Sequence, residues 1–451
     1  MRSLSIVIPS LARPNLRVLL YKLLAQIEAG DEIIVVFDLV NYPRGLPSGI
    51  KILSTAGKNN QAAAKNLGAK NATSGILLFL EDDELPAKDL IYQVKRFWHE
   101  NHEACLMAGR IRPAKPGKKS LLKDVLLNLP LWPLAEIIKA KKSFFGGGLT
   151  LAWGRSEANF NSRRSSACDW AGAGCLSIKL RDFTRLNGFD EKLLAGCHFE
   201  EADLALRLKE LYRLKNQKAK IIYHPKALVY HLAAGKNSQN FLNLRANEVY
   251  VSLKNLRLTA PNLILFLIYH LWQSLVYLIL SLFKKSYFDR LQGKSLGLKY
   301  YLKNQPKKIY IDVRVLKKTH QTGKEKYLRF ILPNLTLASR TKIILLKNHL
   351  LVIALKLIFA KIKQERFVFY SAISFILPSL TDFNNVIVIH DLASLKFPAL
   401  NNLKAKIIER LCLAAACRQA KKIIVPSQSV RKELVNLMPE LTTKTIVVAE
   451  G

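Results

Sequence analysis

The chain has 451 residues, half of them apolar, and carries 70 Lys and Arg against 33 Asp and Glu, a formal net charge of +37. That length exceeds one ordinary core, so two domains and room for a third element are expected, and the apolar share is ample to pack them. The six cysteines, Cys105, Cys168, Cys175, Cys197, Cys412 and Cys417, have neither zinc-finger nor disulfide-framework spacing, which predicts reduced thiols in a cytoplasmic protein.

The opening MRSLSIVIPSLARP has too short an apolar run for a signal peptide and reads as a strand followed by a Pro turn, so export is not expected. SIVIPS (5–10) and DEIIVVFD (31–38) are β-branched apolar runs with a helical pattern at residues 15–28 between them. KILST (51–55), the helix-like QAAAKNLGAKNA (61–72) and ILLFL (76–80) repeat the alternation. The expected fold class is therefore α/β with a mostly parallel, Rossmann-like sheet. Ligands gather at the carboxyl ends of such strands, where Asp38 and the run Glu81, Asp82, Asp83 and Glu84 fall. Four adjacent acids repel one another and call for a cation, a divalent metal first of all.

The basic excess suits nucleic acid, anionic lipid or phosphate-bearing substrates. The basic runs 115–123 (KPGKKSLLK) and 139–142 (KAKK) lack the interleaved aromatics of a base-stacking surface, so membrane or phosphate is preferred and no nucleic-acid partner is expected. Further on, FEEADL places Glu200, Glu201 and Asp203 together. Neighbouring carboxylates raise one another's pKa, which suits proton abstraction, while Asp203 and Arg207 also have the spacing of an ordinary i,i+4 helix pair.

Residues 262–283, NLILFLIYHLWQSLVYLILSLF, contain no Lys, Arg, Asp or Glu and are just long enough to cross a bilayer. His270, Gln273 and Ser274 sit at the centre, and a single crossing would separate the flanking domains. A helix or helical hairpin lying in the membrane interface is expected, with Lys284, Lys285, Arg290 and Lys294 near anionic headgroups. After KNQPKK (303–308) a second α/β pattern runs to the end through IYIDVRVL, KIILL, FVFYS, NNVIVIHDLA and KKIIVPS. The expected boundaries are 1–255, an apolar and basic helical segment 256–305, and 306–451.

AAAKNLGAKNATSGILLFLEDDELP, GFDEKLLAGCHFEEADLALRLKELY (188–212) and IIYHPKALVYHL (221–232) together resemble, in order and separation, the inverting family 2 glycosyltransferases of the GT-A fold, among them rhamnosyltransferase-like polysaccharide enzymes. The resemblance implies transfer of a sugar from a nucleoside diphosphate donor, UDP-, dTDP- or GDP-linked, with Mg²⁺ or Mn²⁺. It implies Asp83 as metal ligand with Glu81 and His231, Asp82 at the ribose, Asp38 at the nucleobase, and Pro9, Lys65 and Asn66 along the nucleotide. Glu201 would be the base, with Glu200 and Asp203 beside it, and Trp170, Gly172 and Arg207 would shape the acceptor wall. Glu81 stands where the family usually has Asp, and FDLVNYP departs from the usual pattern at the base-reading position.

IYIDVRVLKKTHQTGKEKYL, VIVIHDLASLKFP and AKKIIVPSQSVRKEL resemble the amino-terminal half of family 4 glycosyltransferases of the GT-B fold, which implies a second, incomplete Rossmann-like domain with His390 and Ser427 near an acceptor cleft. The overall expectation is a peripheral enzyme on the inner face of the cell membrane, building a polysaccharide or a polyprenyl-linked glycan. The alternative is a glycan- or lipid-carrier docking module whose second half recruits a partner.

Overall fold

The computed structural model describes residues 3–39, 43, 45–58, 60–113, 121–134, 146–151, 154–194, 199–214, 217–232, 240–255, 260–304, 307–317, 323–334, 341–362, 365–372, 375–381, 383–392 and 412–448. The basic run 139–142, most of 115–123, Cys197, Tyr42 and parts of the stretch 144–160 lie outside the described residues. Two compact units result, one of Met1–Asn304 and one formed by the described residues from Gln305 to Gly451. The apolar and basic helices of residues 260–303 fall within the first unit.

The first unit is built on a nine-stranded sheet. Strand β1 (Leu4–Ser10) pairs in parallel with β2 (Glu32–Phe37) on one side and β4 (Ile76–Phe79) on the other, and β3 (Ile50–Ser54) extends the parallel edge beyond β2. Helix α1 (Leu16–Leu24) and helix α3 (Leu90–Glu100) press their leucines and Trp98 against one face of β1, β2 and β4. Each fully buried leucine there contributes roughly 1.5–3 kcal/mol of transfer free energy. Helix α2 (Gln61–Lys70) covers the opposite face through Ala64, packed with Ile34 and Val36. Its start is set by Asn60, whose extended backbone and side chain, accepting from Ala63 N at 3.1 Å, cap the first turn.

The expected mostly parallel sheet is in fact mixed. Beyond β4 comes β10 (Leu176–Lys179), antiparallel to both β4 and β6 (Ala104–Pro113). Strand β11 (Lys220–His231) returns parallel to β6 and pairs antiparallel with the short β5 (Glu84–Pro86) and β9 (Ser166–Ala167). A register shift between His224 and Leu228, around Pro225, bends β11 so that its end meets the acid run. Strands β7 (Gly147–Thr150) and β8 (Ser156–Asn159) form a separate hairpin.

The described residues of this unit also form α4 (Leu121–Asn128), α5 (Leu180–Arg185) and α6 (Glu200–Leu214). After β11 come α7 (Phe241–Asn255), α8 (Ala260–Ser281) and α9 (Lys285–Lys303). Helix α8 is long and apolar enough to cross a membrane, yet its Phe266 and Tyr269 pack against Leu131, Leu149 and Leu151 of the same unit. Its other side exposes Ile264, Leu267, Leu271, Leu275 and Leu278.

The second unit has a six-stranded sheet, parallel throughout, in the order β13 (Thr341–Leu346), β12 (Lys307–Asp312), β14 (Phe367–Ser371), β15 (Asn385–Val388), β16 (Lys422–Val425), β17 (Thr445–Val447). Ser427 caps the helix that follows β16 by accepting from Val430 N, so its hydroxyl serves that helix start.

Candidate active site

Because β2, β1 and β4 are parallel neighbours, their carboxyl ends lie side by side, and each delivers a polar group. Asp38 follows β2, and its carboxylate accepts from Thr55 Oγ1 and from the Asn60 backbone N, both at 2.5 Å. Pro9 is buried within β1, opposite Val36. The turn after β1 holds Ala12 at φ 59°, a left-handed conformation that costs a non-glycine residue about 1 kcal/mol. That turn aims its backbone and Arg13 at the acids after β4.

Asp82 is claimed by this turn. It accepts from Ser10 Oγ at 2.8 Å, Leu11 N at 2.9 Å and Arg13 Nη1 at 2.8 Å. The same guanidinium nitrogen lies 2.7 Å from Asp83 Oδ2, and His231 Nε2 lies 3.7 Å from that oxygen. Asp83 Oδ1 is buried with no hydrogen-bond partner. Burial and the adjacent Glu81 push the Asp83 carboxyl above its usual range, against the pull of Arg13 and His231. Glu81 is more open and accepts from Gln61 Nε2 at 2.6 Å.

Glu84 turns inward instead, pairing in the ladder with His231. Burial, with Glu81 beside it, pushes its carboxyl well above the usual range. Gly174 makes room for it, since a Cβ at that position would be driven into the Glu84 carboxyl.

The second acid group stands at the start of α6, directly after Phe199, whose φ of 96° is a strained value for an aromatic residue. Fully buried Lys65, from α2, reaches across to it, with Nζ 2.7 Å from Glu201 Oε1 and 3.4 Å from Glu200 Oε1. Burial alone would discharge this lysine, but Glu201 and Glu200, with Glu81 behind them, hold it protonated. Burial, then Glu201, pushes Glu200 up to about 8. Lys65 and Glu81 act electrostatically on Glu200, and Lys65 and Asp83 act on Glu84, so the two acid groups form one field.

Asn66, next to Lys65, is committed to holding the Gly188–Glu191 turn. It accepts from Phe189 N at 2.8 Å and donates to Phe189 O at 3.0 Å and to Glu191 Oε1 at 2.8 Å. Its side chain therefore joins two parts of the fold. Asp203 and Arg207 are likewise held by the fold. Asp203 is fully buried and bound by Arg207 Nε at 2.8 Å and by Lys254 Nζ and Asn255 Nδ2 at 2.7 Å. Burial would raise it, but Arg207 and Lys254 outweigh that and hold it below the usual range. The rest of the Arg207 guanidinium donates to Leu186 O and Gly188 O. The pair is thus tied to Leu186, Gly188, Lys254 and Asn255 within the fold.

Trp170 sits on the β7 hairpin through a backbone bridge to Gly148 and stacks edge-on with Phe160, and its ring nitrogen has no partner. Gly172 is buried beside Ile111 and Phe160. These residues pack together as one aromatic wall.

Arg13 and Thr55 carry parts of this site that sequence reading missed. For Arg13 the only signal was a cation three residues beyond the end of β1, which becomes meaningful once β1 and β4 are known to be neighbours.

Among the described residues no group of three or more His, Cys, Asp or Glu side chains is placed to hold a metal ion. The partnerless buried Asp83 Oδ1, with His231 and Glu81 around it, nevertheless suits a hard divalent cation that takes its remaining oxygens from a ligand.

Residues 5–158 match the family described as glycosyl transferase family 2. No curated protein matches the chain. Among solved structures, the chain is similar to GalNAc-T7 with UDP, GalNAc and Mn²⁺, at 12% identity and a TM-score of 0.44, over 67% of this chain and 57% of that one. It is also similar to the mannosyltransferase PcManGT from Pyrobaculum calidifontis in complex with GDP-Man and Mn²⁺, at 14% identity and a TM-score of 0.40, over 67% and 86%. A third is S. aureus TarS 1-349 in complex with UDP, at 12% identity and a TM-score of 0.37, over 67% and 92%. The chain thus spans less than two thirds of the GalNAc-T7 chain.

Proposed function

We propose, from the premise that the amino-terminal unit carries a family 2 glycosyl transferase domain and that the protein is an enzyme transferring sugars, a metal-assisted inverting transfer from a nucleoside diphosphate sugar. The observation that carries this reading is the buried Lys65 pair with Glu201 and Glu200, set in one electrostatic field with Asp83 and Glu81 at the strand ends.

In this reading Asp83, Glu81 and His231 would hold Mg²⁺ or Mn²⁺, which supplies charge neutralisation for the departing diphosphate. Arg13 and the turn after β1 cradle the phosphates. Glu201 takes the proton of the acceptor hydroxyl as that oxygen bonds to the anomeric carbon and the bond to the diphosphate breaks. Lys65 orients Glu201 through its 2.7 Å contact with Oε1, and Glu200, pushed up to about 8 by burial and Glu201, donates a hydrogen bond to the acceptor. Trp170 and Gly172 line the sugar-facing wall.

The acceptor is a polysaccharide or a polyprenyl-linked glycan at the cytoplasmic face of the membrane, reached by the exposed leucine face of α8 and the basic residues that follow it. The second unit is an amino-terminal half of a GT-B enzyme, consistent with its parallel sheet. Replacing Glu201 with Gln tests the chemistry. Sugar release from a panel of UDP-, dTDP- and GDP-sugars should fall by at least about 100-fold with nucleotide binding unchanged, whereas normal turnover would refute Glu201 as the base.

A further inference from the structure

Helices α7, α8 and α9 enclose a polar cluster that sugar transfer does not use. Helix α9 is drawn against α7 by Gly293 and Gly297, where a Cβ would run into the backbone oxygens of Leu242 and Ala246. This close approach places Lys294, 6% exposed, among the three helices. Its Nζ lies 2.9 Å from His270 Nδ1 and over the rings of Tyr269 and Tyr277. Arg245 pairs with Glu248 at 2.5 Å, and Arg290 stacks 3.8 Å from the Phe241 ring centroid.

Charge is out of balance here. Arg245, Arg290 and Lys294 face one carboxylate, Glu248, among the described residues. Burial pushes the Lys294 ammonium down to about 7 even though Glu248 pulls the other way. Hydrogen bonding is also incomplete, because Arg245 Nε, Arg290 Nε and His270 Nε2 have no partner, and the fully buried Tyr277 hydroxyl faces the Arg290 guanidinium. With the ammonium donating to His270 Nδ1, the ring proton sits on Nε2 and has no acceptor. Several unsatisfied donors and a cationic excess in one buried place cost stability unless an anion meets them.

The apolar stripe of α8 lies next to this cluster. Leu271 and Leu278, 68% and 53% exposed, directly follow His270 and Tyr277, about 100° of helix rotation away. A ligand with an anionic head and an apolar tail satisfies both features at once.

We propose that Arg245, Arg290 and Lys294, with His270 and Tyr277, bind the phosphate headgroup of an anionic lipid whose chains lie along the leucine face of α8. The site is separate from sugar transfer and rests only on the membrane-face part of the reading above.

The test is calorimetric titration of the full chain with dihexanoyl phosphatidate, dihexanoyl phosphatidylcholine and inorganic phosphate, all soluble. Wild type should bind phosphatidate more tightly than either of the others, and Arg290→Gln and Lys294→Met should each weaken it about tenfold, with Arg290→Lys recovering most of the loss. Lys294→Met without ligand should melt no lower than wild type, because it removes a buried uncompensated charge. Absence of phosphatidate binding, or equal binding by the variants, overturns the site. Equal affinity for inorganic phosphate overturns the lipid assignment. Nucleoside diphosphate binding measured on the same variants should be unchanged, so failure of this site and failure of the transferase reading are told apart.

Discussion

Lys65 Nζ lies 2.7 Å from Glu201 Oε1, and the two residues are 136 positions apart in the chain. The lysine is fully buried, and so is almost all of its partner. This one ion pair joins the helix that precedes the β4 acids to the helix that begins with the second acid group. It places a permanent cation between them.

Removing that cation should be costly. Lys65→Met leaves Glu201 and Glu200 buried without a partner, and a loss of about 3–5 kcal/mol is expected in denaturant unfolding. The double variant Lys65→Met with Glu201→Gln should lose less than the sum of the single changes, because the stranded charge is gone.

Glu200 should make stability depend on pH. Its folded value of about 8 lies above the ordinary 4.5, so the folded state holds the proton over a window in which the unfolded state has released it. The sign follows: this contribution to stability is present below pH 4.5 and is lost as pH rises toward 8. Unfolding free energies measured across that window should fall less steeply in Glu200→Gln than in wild type.

Gly174→Ala should damage the acid cluster from behind. The added methyl meets the Glu84 carboxyl, and overpacking of this kind costs about 1–3 kcal/mol. Combining it with Glu84→Ala should recover part of the loss, as a double-mutant cycle would measure.

Vesicle sedimentation tests the leucine face of α8. Leu271→Ser together with Leu278→Ser should abolish binding to both neutral and anionic vesicles without lowering the melting temperature, since both side chains are exposed. Unchanged sedimentation would remove this face from the membrane.

Much of the site was legible because its chemistry is concentrated in short runs. Glu81 to Glu84 announce themselves by mutual repulsion, and the runs before Asp38 and Glu81 read as strands by their β-branched and apolar content. The i,i+4 spacing of Asp203 and Arg207 already contained their structural pairing, and burial on α6 completes it with Lys254. Long-range register was the part that could not be read. That Arg13 would meet Asp82 and Asp83 depends on β1 and β4 being parallel neighbours, with Val7 opposite Phe79. The mixed sheet was missed for the same reason, since LSIK at 176–179 has the same local pattern whether it runs parallel or antiparallel. The Asn66 contacts could not be read either, because their partner, the turn at Gly188–Glu191, is more than 120 residues away.

The central claim is a donor site at the ends of β1, β2 and β4. Calorimetric titration of UDP, dTDP and GDP into the chain, with and without Mn²⁺, beside Asp83→Ala, tests it most directly. The account predicts Mn²⁺-dependent binding of at least one nucleotide, lost in Asp83→Ala. Binding that ignores both the metal and the substitution, or no binding under any of these conditions, would contradict it.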